Sequence, residues 1–241
     1  MKNLNNIIVA FILSALLFSA SAQYNGYDFS IGINGLFTTT AQVFLNPKSS
    51  DLIVRNQSTE ISNIFNPSID IRYGLTDDII IGLGSEYMVG KTNNDNITAI
   101  GNNNNTLAVP VADEFKLIPI ELTGYYLLPF STDHFKFLMG GGGGVYIGSQ
   151  KRTVADAESN TIEKEFSFGI HVVVSMDYLP LPFFSVRAEM KFRDPEMNFT
   201  NRYNKSSTTY KGRVIRFAQQ TYYSKVNVDG ITFIVGAVYH F

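Results

Sequence analysis

The chain has 241 residues, 45% of them hydrophobic and 17% charged, with no Cys, no Trp and a formal net charge of −2. Without Cys there can be no disulfide, thiolate metal site or Cys nucleophile, and a slightly acidic chain is a poor nucleic-acid binder. At this length a single barrel or sandwich is as compatible as two ordinary domains.

The N-terminus reads as an export signal. Lys2 supplies the positive start, residues 7–18 are apolar except for Ser14, and Ala20-Ser21-Ala22 is a small-x-small cleavage site ahead of Gln23. The apolar run is too short for a spanning helix, which needs about 20 residues. The expected organisation is a signal peptide over residues 1–22 and one domain over 23–241. An exported chain without Cys suits a bacterial envelope.

Beyond the signal, apolar residues recur with period two, and no helical period is sustained. Eight segments alternate in this way: 27–37, 68–75, 79–89, 117–127, 135–147, 166–178, 184–193 and 231–241. In the second, Ile69, Ile71, Tyr73 and Leu75 oppose Ser68, Asp70, Arg72 and Gly74. In the seventh, Phe184, Val186, Ala188, Met190 and Phe192 oppose Ser185, Arg187, Glu189, Lys191 and Arg193. Eleven charges fall opposite the apolar faces: Asp28, Asp70, Arg72, Glu86, Glu121, Lys136, Asp177, Arg187, Glu189, Lys191 and Arg193. Lys116 breaks the parity at the start of the fourth segment, where a rim would tolerate it.

Which face meets water follows from the connections. Residues 76–78, 128–134 and 179–183 are short; residues 38–67, 90–116, 148–165 and 194–230 are long. Short turns on one rim and long loops on the other are the habit of outer-membrane barrels. With both termini at the short-turn rim, Tyr27, Phe29, Tyr73, Tyr126, Phe135, Tyr178, Phe184, Tyr239 and Phe241 form an interfacial girdle there. A Lys or Arg facing lipid costs about 2–4 kcal/mol at the midplane, so the charges belong in the lumen. The expected fold is all-β: an eight-stranded antiparallel up-and-down transmembrane barrel, too narrow for an open pore. Its luminal network is expected to comprise Asp28, Asp70, Arg72, Glu86, Glu121, Lys136, His171, Asp177, Arg187, Glu189 and Lys191.

The last strand ends Phe233-Ile234-Val235-Gly236-Ala237-Val238-Tyr239-His240-Phe241. With the signal and the eight segments, this resembles the small OmpA/OmpX-like outer-membrane barrel proteins. The resemblance implies outer-membrane localisation and insertion by the barrel assembly machinery, with Tyr239 and Phe241 as its recognition residues. No peptidoglycan-binding domain follows Phe241, which favours the OmpX-like type.

Catalytic signals are weak. Gly140 to Gly144 lacks the Lys-Ser/Thr of a phosphate loop and lies in a strand, and Gly90-Lys91-Thr92 lacks its partner glycine. His171 and Ser175 are on the order of 13 Å apart along one strand, beyond hydrogen-bond reach. Asn93, Asn94, Asp95, Asn96 and Asn102 to Asn105 offer oxygen ligands but no EF-hand spacing. No enzyme, metal or cofactor is expected. Residues 194–230 are basic and aromatic, and Arg202, Lys205, Lys211, Arg213 and Arg216 are the candidates for a surface that holds lipopolysaccharide or another extracellular ligand. The expected role is a filled barrel whose loops do structural, adhesive or recognition work. The alternatives are a narrow transport barrel for small or hydrophobic solutes and a lipid A-modifying enzyme.

Overall fold

The computed structural model describes residues 28–100 and 106–241. The signal segment 1–22, Tyr27 and Asn102 to Asn105 lie outside the described residues.

The chain is almost wholly strand, because its alternating β-branched and aromatic residues suit a pleated surface with two different faces. The strands are β1 (Phe29–Phe44), β2 (Ser58–Gly74), β3 (Ile79–Glu86), β4 (Met88–Ile100), β5 (Thr106–Leu127), β6 (Phe135–Val154), β7 (Ala157–Lys164), β8 (Ser167–Leu181), β9 (Phe184–Arg193), β10 (Glu196–Tyr203), β11 (Ser207–Tyr210), β12 (Arg213–Arg216), β13 (Thr221–Asn227) and β14 (Ile231–His240). A single helical turn, α1 (Leu52–Arg55), is capped by Asp51, whose carboxylate accepts from Ile53 N at 2.8 Å.

Among the described residues the strands make eight staves: β1, β2, β3 with β4, β5, β6, β8 with β7, β9 with β10, and β14 with β13. Each pairs antiparallel with its neighbours, and β13 and β14 return to β1, so the sheet closes on itself. At the level of the β2–β3, β3–β5 and β1–β14 ladders, closure leaves the wall no unpaired edge, the condition for crossing hydrocarbon with strands.

The long connections expected as loops are mostly strand. β5 runs 22 residues, whereas a membrane-crossing strand needs about 9–11. The barrel therefore continues well above the bilayer. The segment between β9 and β14 continues the wall in the same way: β10 pairs with β13 and β7, and β13 also pairs with β1. Only β11 and β12 stand apart, as a hairpin turning at Lys211-Gly212, both with positive φ.

Sidedness changes along each stave. On β5, Ile118, Ile120, Leu122 and Tyr126 face outward and are exposed, while Glu121 and Thr123 are buried. Two residues higher the assignment reverses. Lys116 and Glu114 face out, and Leu117, Phe115, Val111 and Val109 face in. On β9 and β10 the outward run Phe184, Val186, Ala188, Met190, Phe192 gives way to Asp194 and Glu196, and the inward charges give way to Met197 and Phe199. The expectation of apolar-out faces holds for the eight segments of the lower barrel; above them, in strands expected as loops, the apolar side faces in. Lipid demands apolar side chains outside, whereas water above the bilayer drives them in.

The interior is layered. Ile80, Tyr125, Leu138, Val173 and Leu179 close the short-turn end. Charged residues fill the next level. Above them sits an apolar core around Met88, Phe115, Leu117, Tyr146, Met197, Phe199 and Val226. A polar layer follows, in which Arg152 donates to Asp113 at 2.9 Å and Asn201 to Gln150 at 2.7 Å. Val109, Val111, Val154 and Ile215 form the uppermost cluster, so the β11–β12 hairpin packs onto the extracellular end of the barrel.

Two outward positions on β5 test the boundary. Leu122→Lys, at the middle of the apolar belt, should cost about 2–4 kcal/mol, and Ala112→Lys, above it, should stay within about 0.5 kcal/mol of wild type. Urea unfolding in lipid vesicles, read by heat-modifiable gel migration, measures both.

Candidate functional site

The luminal charges come from inward positions of β2, β3, β5, β8 and β9, and Leu36, Tyr125 and Ile234 point inward beside them. Gly142 is required here: a Cβ would lie 1.9 Å from the Leu122 carbonyl oxygen. The five-glycine run is thus a strand that lets its neighbours approach closely.

Arg187, fully buried on β9, is the hub. Its Nε and Nη2 donate to the two Asp177 oxygens at 2.8 and 2.9 Å, and its Nη1 donates to Asp70 at 2.8 Å. Asp70 also accepts from Arg72 Nε at 3.1 Å and from Asn34 at 2.8 Å. Arg72 reaches Glu189 at 2.7 Å and stacks over the Tyr125 ring at 3.9 Å. One level higher, Glu121 accepts from Lys191 and from the Tyr146 hydroxyl, each at 2.6 Å. Arg193 joins this group through Glu86 and, at 3.4 Å, Glu121. A cavity of about 30 Å³ among these side chains has room for roughly one water.

The structure thus brings together Asp70, Arg72, Glu86, Glu121, Asp177, Arg187, Glu189 and Lys191. Lys136 lies opposite Asp177 in the β6–β8 register. His171 is luminal but sits in a hydrogen bond with Thr123 (2.8 Å) rather than in an ion pair. Asp28 departs from the expected network: it lies ahead of β1 at the short-turn rim, where its main-chain carbonyl accepts from Gly74 N, and it enters none of the luminal salt bridges found among the described residues. Arg193, Tyr146, Asn34 and Thr123 complete the cluster. Arg193 carried the right parity in the sequence; the other three are neutral, and only the register of neighbouring strands identifies them.

The rims carry the expected aromatic residues. Phe29 lies 4.7 Å from Tyr73 and 5.9 Å from Phe241, and Tyr239 lies 6.1 Å from Phe241. The two C-terminal aromatic residues are therefore part of the girdle. At the upper edge Phe37 bridges Phe65 and Phe233.

Above the bilayer the basic candidates separate. Arg202 is exposed on β10, and Arg213 and Arg216 are exposed on the hairpin. Lys211, at the hairpin turn, lies over the Tyr210 ring at 5.4 Å. Lys205 is engaged within the protein, 2.7 Å from Asp156 in the turn between β6 and β7, and Thr208 donates to the same carboxylate. These hydrogen bonds hold the Asp156 carboxyl below the ordinary value of 3.8. Beside the hairpin a crevice of about 390 Å³ is lined by Leu45, Arg152, Tyr203, Phe217 and Tyr222 among others. Burial pushes the Tyr203 and Tyr222 phenols up. Among the described residues no group of three or more His, Asp and Glu is placed to hold a metal ion.

A closed eight-stave barrel with an apolar belt, aromatic rims and a charged lumen is an outer-membrane β-barrel, and its fold is that of the small OmpA/OmpX-like proteins. The chain resides in the outer membrane. It is similar in structure to the outer membrane protein OprG of Pseudomonas aeruginosa, at 13% identity over 92% of this chain and 98% of that one, with a TM-score of 0.59. Looser likenesses are Ail, the attachment invasion locus protein of Yersinia pestis (12% identity, 89% and 99% covered, TM-score 0.44), and the outer membrane protease OmpT of Escherichia coli (11%, 89% and 97%, 0.46). No family model and no curated protein matches the sequence.

Two predictions follow from this geometry. Arg187→Met removes the guanidinium that Asp177 and Asp70 share and should cost about 3–5 kcal/mol; adding Asp177→Leu should recover part of that loss in the same unfolding assay. For Asp156 the carboxyl is depressed, so its contribution is complete above the ordinary value and is lost as pH falls below 3.8. Hydrogen exchange across residues 207–216 should accelerate over that range in wild type, and Asp156→Asn should exchange fast at neutral pH.

Proposed function

We propose that the protein is a sealed, non-enzymatic outer-membrane barrel that carries a recognition surface above the bilayer. The observation that carries this is the packed interior: the ionic level lies between apolar levels, and the cavity found among the luminal charges holds about 30 Å³. A channel would need those ion pairs to part, and separating buried charges is costly. The surface on offer is the extracellular end. Arg202, Lys211, Arg213 and Arg216 present cations there, and half-buried aromatic residues line the adjacent crevice. An anionic extracellular ligand fits that chemistry, whereas Lys205 serves to fasten the hairpin to Asp156.

Assembly through Tyr239 and Phe241 belongs to the same reading. Both side chains are outward and exposed at the rim, where an assembly factor could meet them before the barrel closes.

A second reading, uptake of small apolar solutes, draws on the crevice beside Tyr203 and Phe217. Beneath it, however, Phe115, Met88 and Met197 occupy the barrel axis. The lipid-modifying alternative gains little, since His171 is buried in the lumen against Thr123. Planar-bilayer recording separates the first two readings. The sealed barrel should show no steady conductance at neutral pH; steady unitary currents from purified wild type would favour transport.

A further inference from the structure

The first charge above the apolar belt differs in sign around the barrel. Above Val89, Ile118 and Ile147, on the neighbouring strands β4, β5 and β6, it is Lys91, Lys116 and Lys151. On β2 it is Glu60, after β9 it is Asp194, and ahead of β14 it is Asp229. The three lysines sit together in the sheet. Lys91 is registered opposite Glu114, and Glu114 opposite Lys151. Lys116 is two residues from Glu114 on the same face. With strands about 4.8 Å apart, all three side chains leave the wall within roughly 10 Å of one another.

All three are substantially exposed, with side-chain exposures of 52% for Lys91, 51% for Lys116 and 40% for Lys151. Their internal partners are weak holds. Glu114 stands 3.3 Å from Lys116 and 4.0 Å from Lys91, and Glu158 stands 2.9 Å from Lys151. Exposed pairs of this kind contribute little, so the ammonium groups are free to exchange a carboxylate for a better anion. Three lysines against two glutamates leave the patch net positive.

Height selects the anion. These lysines stand two to four residues above the last outward aliphatic residue on their strands, just past the apolar belt, which is where a leaflet's headgroup phosphates begin. Arg202 is ten residues above Phe192, roughly 25 Å higher along a tilted strand, beyond that level. We infer that the Lys91–Lys116–Lys151 face of β4, β5 and β6 is a docking site for a phosphorylated glycolipid headgroup of the outer leaflet. Glu114 sits between the lysines and limits how tightly a phosphate is held. The site depends on the membrane placement of the barrel and not on a sealed lumen, so it and the conductance experiment fail independently.

The test uses the full mature chain folded in phosphatidylcholine nanodiscs doped with diphosphorylated lipid A, with its dephosphorylated form as the second arm. Retained glycolipid is counted by native mass spectrometry. Wild type should retain the diphosphorylated form in preference. Lys91→Gln/Lys116→Gln/Lys151→Gln should lower that retention by about tenfold or more, while Glu114→Gln should raise it. Asp194→Asn, on the acidic side, should leave it unchanged. Equal retention of both glycolipids by wild type, or unchanged retention in the triple variant together with no gain in Glu114→Gln, would overturn the site. Because Glu114→Gln acts in the opposite direction, loss of folding in the triple variant does not imitate the expected pattern.

Discussion

Hydrocarbon can solvate neither a charge nor an unpaired peptide group, and the lower half of this molecule follows from that. Unpaired backbone is avoided by closing the sheet, β13 and β14 onto β1. Charge is kept from lipid by placing every ionic side chain of the spanning segments inside. Once inside, these groups are out of bulk water as well, so they have to satisfy one another. Arg187 shows the consequence: one guanidinium, fully buried, binds two carboxylates from two other staves, β2 and β8. The ion pairs are therefore chiefly a means of tolerating charge and of fixing which strand lies opposite which. They need not be a large source of stability.

Above the belt the solvent changes and the rule inverts. β5 keeps one backbone phase from Thr106 to Leu127, yet its apolar residues move from even to odd positions between Ile118 and Leu117. The molecule is a membrane barrel continued by a water-soluble one, and the two share the long strands β1, β2, β5 and β6. This explains why its interior is stratified and why the extracellular half has its own hydrophobic core. It also explains the hairpin. A soluble barrel end needs a cover for its apolar lining, and Ile215 supplies it against Val109, Val111 and Val154.

The spanning architecture was legible in the sequence because lipid enforces strict alternation. Ile231, Phe233 and Val235 against Thr232 and Gly236 admit one sidedness once the long and short connections are compared. The extracellular strands were not read, because there the apolar set changes parity and looks like an interruption. Lys116 was the visible sign of that change: its apparent exception is the point where outward positions become polar. The luminal cluster was readable as a set of charges but not as a set of pairs. Pairing depends on register between distant strands, as in Lys191 meeting Glu121, and a period of two carries no register. Neutral partners such as Tyr146 and Asn34 gave no signal. Asp28 had the right parity but sits at the rim, where parity no longer implies enclosure.

A filled lumen moves any recognition to the outside of the wall and to the extracellular end. These two surfaces differ in what they can bind. The wall just above the belt is divided by sign, basic across β4 to β6 and acidic around β9 and β14. The extracellular end combines exposed arginines with half-buried rings held by a latch at Asp156 and Lys205. The hairpin is attached to the barrel through the Asp156 latch, the Ile215 contact and, just past β12, the stacking of Phe217 on Tyr203 at 4.1 Å.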